Sequence, residues 1–355
     1  MRILVIRRDN IGDLVCTTPL IAALRARYPK AHIAALVNSY NAAVLDGNPD
    51  LDAVHVYTKL KHRLPGQSAF GIIRARFRML AELRREPFDY IVLASSSFNR
   101  HGLRFARQLR RRHVVGFANG DERGARHVTL KVPARPYGEL HEVQILALLA
   151  TAMEAPGADG PLRIFPSPAR ALAWRQRLPE LEKQFWAAVH ISAREPERQW
   201  PVEKWRDLIH RLTSTGVGAL VVWSPGPGSD PRHPGDDAKA AQVLAGAEAN
   251  PLVRAAPTAS LDELIAVLPL CRAFVGADGG AMHIAAALGL PMVALFENLE
   301  SKKRRWYPWR VPHELVAPQT REIREISVEQ AIAAWQLLCR DTALRVPEPS
   351  ASRSR

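Results

Sequence analysis

Short apolar runs alternate along this chain with longer stretches whose apolar residues recur at helical spacing. Ile3–Ile6, His32–Val37, Ala53–Val56, Tyr90–Leu93 and His113–Phe117 read as buried strands. Between them Leu14, Thr17, Ile21, Leu24 and Tyr28 share one stripe, which predicts a helix over Leu14–Tyr28 that Pro29 stops. Ile72–Arg85 reads as a second helix, and a third, from about Glu139 to Met153, closes this half. Ala155–Pro168 is dense in Pro and Gly and reads as a linker. The pattern then restarts: helix Ala169–Leu178, strand Ala187–Ile191, helix Val202–Thr213 behind Pro201, and strand Ala219–Trp223. After the breaker-rich loop Ser224–Gly235 come helix Leu261–Leu268, strand Ala273–Gly276, helix Ala281–Leu288 and strand Met292–Phe296. Val328, Ala331, Ile332, Trp335, Leu338 and Cys339 form the stripe of a last helix, with Ser327 as its N-cap.

Alternation of this kind belongs to α/β proteins with parallel, doubly wound sheets. Its two repetitions predict domains over 1–160 and 161–326, a terminal helix within 327–345, and a disordered tail over 346–355 that is rich in Pro, Ser and Arg. The chain has 355 residues, 47% of them hydrophobic, enough for two cores of ordinary size.

Charge adds a second layer. The net charge is +14, and Met1–Ala150 holds 24 Lys/Arg against 12 Asp/Glu, so nearly all of the excess lies in the first half. It concentrates from Lys59 to Arg112, including Arg74-Ala75-Arg76-Phe77-Arg78 and Arg110-Arg111-Arg112. Such a surface attracts phosphate groups, although a solvated helix face would look the same. The segment lacks a helix-turn-helix, zinc-finger or RNP pattern and has few aromatics, so no nucleic acid partner is expected. An anionic membrane surface or a lipid phosphate fits better. No apolar run reaches the roughly 20 residues that span a bilayer, and Met1-Arg2 enters a strand with no secretory segment ahead of it. The expected location is cytoplasmic, peripheral on the inner face of the cytoplasmic membrane. Cys16, Cys271 and Cys339 are scattered without metal-ligand spacing, as in a reducing compartment.

Two strand–turn–helix junctions carry candidate chemistry. At the first, Arg8-Asp9-Asn10-Ile11-Gly12-Asp13 follows the opening strand. Asp13 is either a helix cap or a general base for an attacking hydroxyl; Asp9 competes for the role of base but lies earlier in the turn, where the alternative is that it only braces the loop. At the second, Asp278-Gly279-Gly280-Ala281-Met282-His283 leads into a helix whose N–H groups suit a diphosphate. The alternative there is a close helix–strand contact that needs small residues. Ser192 and Arg198, after the strand ending at Ile191, offer a hydroxyl and a guanidinium to the same anion, or are incidental turn residues. Trp306-Tyr307-Pro308-Trp309, behind Lys302-Lys303-Arg304-Arg305, reads either as a seat for a base or sugar or as a packed corner. No metal cluster, Gly-x-Ser-x-Gly elbow or Walker loop is present in the sequence.

Four segments together resemble glycosyltransferase family 9, the ADP-heptose:lipopolysaccharide heptosyltransferases. They are ILVIRRDNIGDLVCTTPLIAALRARYP at the start, HEVQILALL over His141–Leu149, HISAREPERQWPVEKW from His190, and VGADGGAMHIAAALGLPMVALF from Val275. The resemblance covers nearly the whole chain and implies a GT-B fold, two Rossmann-like domains facing a cleft, with the last helix crossing back to the first domain. It also implies an inverting transfer from a nucleotide sugar, without metal or other cofactor and with ADP-heptose as donor substrate. A lipopolysaccharide core or lipid A-linked acceptor is the implied partner. On this likeness Asp13 is the catalytic base, Ser192 and Arg198 hold the donor diphosphate, Asp278 contacts the donor sugar, and Gly279, Gly280 and His283 form the phosphate turn. The chain departs from the pattern at four places, one of them the long, Pro-rich Ser224–Gly235 loop where relatives contact the nucleoside. Gly279 stands where the family commonly has Thr or Ser, Ala193 replaces a frequent hydroxyl, and Glu297-Asn298 stands where a Gly-containing turn is usual. Two other readings stay open on the residues: a nucleotide-sugar epimerase on the same fold, and a non-catalytic basic protein that binds nucleic acid or membrane.

Overall fold

A computed structural model of the chain describes residues 1–58, 68–85, 87–230 and 234–342. The expected tail from Val346, the start of the basic segment at Lys59 and the middle of the Ser224–Gly235 loop lie outside the described residues. Two compact units meet in sequence at Phe165 and Pro166.

Unit 1 is built on strands β1 (Arg2–Ile6), β2 (His32–Asn38), β3 (Ala53–Tyr57), β4 (Phe88–Leu93), β5 (Arg111–Phe117) and β6 (Leu130–Val132). Its helices are α1 (Ile11–Val15), α2 (Thr18–Arg27), α3 (Ala69–Leu83), α4 (Arg100–Ala106) and α5 (Glu142–Thr151). Every strand pairing is parallel, in the order β3-β2-β1-β4-β5-β6. Ile3, Leu4, Val5 and Ile6 are all buried, because helices cover both faces of a parallel sheet.

The single helix expected over Leu14–Tyr28 is two. Pro19, the second residue of α2, has no N–H to continue the α1 ladder, so the chain turns at Cys16-Thr17 and restarts. The hydroxyls of Thr17 and Thr18 donate to the carbonyls of Asp13 and Val15 at 2.8 and 2.7 Å, which satisfies the break. The Pro/Gly-rich stretch from Ala155 is tied to unit 1 rather than free. Leu162 and Ile164 are buried, the Arg163 N–H donates to Thr18 Oγ1 at 2.9 Å, and its guanidinium meets Asp50 at 2.5 Å.

Unit 2 carries β7 (Trp186–His190), β8 (Gly218–Trp223), β9 (Val253–Pro257), β10 (Ala273–Ala277), β11 (Met292–Leu295) and β12 (His313–Val316). Its helices are α6 (Pro168–Arg177), α7 (Val202–Ser214), α8 (Asp237–Leu244), α9 (Leu261–Val267), α10 (Gly280–Ala287), α11 (Glu300–Trp306) and α12 (Val328–Asp341). The order β12-β11-β10-β7-β8-β9, again all parallel, repeats the winding of the first sheet. α7 buries Trp205, Leu208, Ile209 and Leu212 along one stripe, and Trp200 stands edge-on to Trp205 at 4.8 Å. Ser327 caps α12, accepting from the Gln330 N–H at 3.2 Å while Gln330 accepts from the Ser327 N–H at 2.8 Å. The apolar stripe of α12, the helix expected to cross back to the first half, is buried against β11, β12 and α7 of its own unit.

Each unit thus has one place where the winding reverses, between β1 and β4 in the first and between β7 and β10 in the second. Ligands of open α/β sheets bind outside the carboxyl ends of the strands at such a point.

Packing across β7 and β8 is tight enough to test. Gly218 lies opposite Trp186, and a Cβ on it would fall 2.3 Å from the indole. Gly218→Ala should therefore destabilise unit 2 by about 1–3 kcal/mol through overpacking. Urea unfolding followed by tryptophan fluorescence measures it; an unchanged midpoint would refute the account.

Candidate functional site

The first switch point is organised by Arg7, the residue after β1. It is 2% exposed. Its Nη1 donates to the carbonyl of Ala94, just past β4, at 2.6 Å, so one side chain bridges the two strands. Nη2 donates to Asp13 Oδ1 at 2.5 Å and to Glu142 Oε1 at 3.0 Å, and Nε lies 3.3 Å from Asp9 Oδ2. Burial alone would lower the Arg7 pKa, but the charges of Asp13, Glu142 and Asp9 outweigh it and raise the value.

Asp13 is the third residue of α1. Its Oδ2 accepts the Asn10 backbone N–H at 2.9 Å, so the capping role and the Arg7 pair occur together. Its side chain is 14% exposed, which leaves acceptor sites on both oxygens open to a bound group. Asp9 is 45% exposed, and its carbonyl accepts from Asn38 and Asn41, so it does brace the turn. Glu142 is fully buried in the first turn of α5, where the helix dipole favours its charge. The buried His141 caps that helix by accepting the Val143 N–H at 3.1 Å. Arg7 and Glu142 are site residues that the sequence reading missed. The visible signal was charge bordering an apolar strand or helix, which does not say what it pairs with.

The second switch point draws on three adjacent strands. Arg198 stands in the turn after β7, Asp278 follows β10, and Glu297 comes two residues after β11. Arg198 Nε meets Glu297 Oε1 at 3.0 Å, while Nη1 lies 3.4 Å from Asp278 Oδ2 and donates to the Asp278 carbonyl at 3.3 Å. Glu297, 2% exposed, also pairs with Lys302 and, at 3.4 Å, with Arg321. Burial opposes its ionisation, but hydrogen bonds from Lys302 and Arg198, and then their charges, hold its carboxyl below the usual range.

Gly279 and Gly280 lead into α10. Gly279 has an extended backbone, φ 167°, and a Cβ on it would come no closer than 3.9 Å to its nearest neighbour, so neither strain nor crowding demands glycine there. The first amides of α10 point out of the helix end. His283 is 3% exposed and packs in a T-shape with Trp306, with ring centres 5.8 Å apart. Trp309 is buried and Tyr307 stacks on His313, so the aromatic run forms a packed corner. Arg198 and Asp278 are brought together as expected. Ser192 is engaged elsewhere: its hydroxyl accepts the Ser224 N–H at 3.1 Å and ties down the start of the Pro-rich loop. Glu297 is the hub that sequence reasoning passed over as a mere departure. Among the described residues no group of three or more His, Cys, Asp or Glu is placed to hold a metal ion.

Against this geometry the comparisons are consistent. The family described as glycosyltransferase family 9 (heptosyltransferase) matches residues 76–333. Lipopolysaccharide heptosyltransferase 3 of Escherichia coli K12 is 24% identical over 302 residues, covering 84% of this chain and 82% of the relative. The crystal structure of a family 9 glycosyltransferase from Veillonella parvula superposes with a TM-score of 0.78 at 18% identity, covering 96% of this chain and 97% of that one. E. coli heptosyltransferase WaaC with ADP gives a TM-score of 0.76 at 18% identity, covering 95% of this chain and 100% of that one. The two like-wound parallel units are thus those of the GT-B fold.

Because Glu297 is depressed in the folded state, its contribution is present above the unfolded carboxyl value and lost as pH falls through the folded one. Glu297→Gln should therefore unfold at lower urea than the parent at neutral pH. The gap should close as the pH drops below about 4. A gap that stays constant down to about pH 3 would show that Glu297 contributes no charge-linked stability.

Proposed function

Because the chain belongs to glycosyltransferase family 9, the heptosyltransferases, we propose that it transfers a heptose from ADP-heptose to a lipopolysaccharide core acceptor, with inversion and no metal ion. The observation that carries the reading is Asp13, a partly open carboxylate with each oxygen oriented by a separate donor at the switch point of unit 1. ADP as the donor nucleotide is supported by the related enzyme solved with ADP. The family assignment sets aside the epimerase and the non-catalytic binding protein.

In the proposed step an acceptor hydroxyl oxygen bonds to the anomeric carbon as the bond from that carbon to the diphosphate oxygen breaks. The hydroxyl proton passes to Asp13, and the bonding pair leaves with ADP. A single displacement on the face opposite the leaving group inverts the centre. Arg7 does not take part in the proton transfer; it keeps the Asp13 carboxylate aimed, and Glu142 and Asp9 share its charge. In unit 2 the negative charge that builds on ADP is met by Arg198, Lys302 and the amides at the start of α10. An arriving diphosphate competes with Glu297 for the first two. Asp278, braced by Arg198, is the side chain offered to the donor sugar. Ser192 and His283 take part only through the loop and helix that they anchor.

Membrane association belongs to this reading and is supported by α3. No helix among the described residues is long and apolar enough to cross a membrane. α3 buries Met79, Leu80 and Leu83 but leaves Phe70, Ile73 and Phe77 exposed by 76%, 45% and 68%, at i, i+3 and i+7, with Arg74 and Arg78 beside them. An aromatic face flanked by arginine is the composition of a helix that lies in an anionic lipid interface.

Asp13→Asn should lower transfer from ADP-heptose by about 100-fold or more, while calorimetry shows unchanged ADP binding. Near-parental turnover removes the proposed base. Phe70→Ser/Phe77→Ser should weaken co-sedimentation with vesicles containing anionic phosphatidylglycerol by about tenfold or more. Equal binding by parent and variant would exclude α3 as the contact.

A further inference from the structure

Unit 1 holds a cavity of about 670 Å³ away from the Arg7 cluster, between α4 and the loop after β5. Arg100, Arg104 and Arg107 line one wall, spaced at i, i+4 and i+7 so that they share one face, and Arg123 and Arg126 reach in from the loop. None of the five has a carboxylate partner within ion-pair distance among the described residues. Glu122 also lines the cavity, but its oxygens accept the N–H groups of Asn119 and Gly120 at 3.0–3.1 Å, so it pins its own turn instead of neutralising the arginines. Partial desolvation, and then the positive charges of Arg107, Arg126 and Arg111, push His127 below its ordinary value. Gly124 takes a left-handed turn at φ 101°, and a Cβ there would lie 3.4 Å from the buried Leu103 side chain.

This arrangement is unfavourable for folding alone. Like charges at i and i+4 repel, and Arg100 places a cation at the start of a helix, against the dipole. A local rule broken without a compensating partner points to a ligand. The lining supplies guanidinium forks that match phosphate oxygens and, apart from the His127 imidazole, no aromatic ring on which a base could stack, which favours a phosphorylated saccharide over nucleic acid. The volume lies in the range of small-molecule sites. The loop after β5 and the one leading from β4 into α4 leave the same carboxyl edge of the sheet as Asp13, two strands and one strand along from β1.

We propose that this arginine-lined cavity binds a phosphate monoester carried by the saccharide of the acceptor, so that the sugar chain is anchored beyond the reacting hydroxyl. The inference rests on the reading of Asp13, in unit 1, as the base that meets the acceptor hydroxyl. Its test does not depend on turnover. Glucosamine 1-phosphate, glucosamine and inorganic phosphate are titrated calorimetrically into the full chain, into Arg104→Gln/Arg107→Gln, and into Asp13→Asn.

Binding of the sugar phosphate but not of the neutral sugar is expected. The double variant should weaken it at least tenfold with an equal or higher Tm, since repulsion is relieved, and Asp13→Asn should bind as the parent does. Sugar phosphate binding unchanged by the double variant would overturn the proposal. So would inorganic phosphate binding as tightly as the sugar phosphate, or an oligonucleotide that binds through these arginines where the sugar phosphate does not. A failure of heptose transfer with phosphate binding intact would instead count against the donor assignment.

Discussion

A guanidinium with 3% of its side chain exposed, tied to three carboxylates and one carbonyl, fixes the working end of unit 1. Arg7 is the first residue beyond β1, and its contact with Ala94 joins the two strands between which the winding reverses. Severing one partner of such a buried pair generally costs about 3–5 kcal/mol, because the other charge is left in a low-dielectric interior. The network therefore acts less as a source of net stability than as a constraint on direction. Three negative charges surround one positive charge, so Arg7 is held more than neutralised and stays ionised. Glu142 tolerates complete burial because it heads α5, whose dipole and whose His141 cap make that position favourable for an anion. Of the two carboxylates that Arg7 Nη2 holds, Glu142 is fully buried and Asp13 is the one that keeps some exposure, 14% of its side chain; Asp9, on Nε, is more open still.

Unit 2 inverts this arrangement on the same sheet order. There a carboxylate, Glu297, is buried among cations, and its partners Arg198, Lys302 and Arg321 are all more exposed than it is, by 23%, 28% and 59% of their side chains. One unit buries the cation and leaves carboxylates partly open, as the proposed proton transfer asks. The other buries the carboxylate and leaves cations partly open, as the proposed departure of a diphosphate asks. The exposure difference matters as well. Arg7 is locked among its partners, whereas Arg198 and Lys302 each keep about a quarter of the side chain open to solvent.

Much of the fold was legible from apolar runs because central parallel strands are buried on both faces. Among the described residues, nine of the twelve strands lie in such runs; the three overlooked, β6, β9 and β12, are all sheet edges. β6 has only three residues, and β9 and β12 are partly exposed, so their composition carries no continuous apolar signal. The same locality governs the site. Asp13, Arg198 and Asp278 stand next to strand ends and could be named from position. Glu142 and Glu297 could not, because their meaning comes from partners 135 and 99 residues away, which only the folded sheet brings close.

The departures from the family pattern acquire a physical sense in this light. At position 279 the backbone is extended and roomy, so the fold accepts a hydroxyl residue or a glycine, and its loss removes a side-chain contact without altering the turn. Position 297 is different. A glycine there would leave Arg198 and Lys302 without their shared counter-ion, and two neighbouring cations would repel each other when no ligand is bound. Glu297 removes that repulsion and holds both side chains in place. The substitution that looked like erosion of a motif is thus the residue around which the cations of this switch point are arranged.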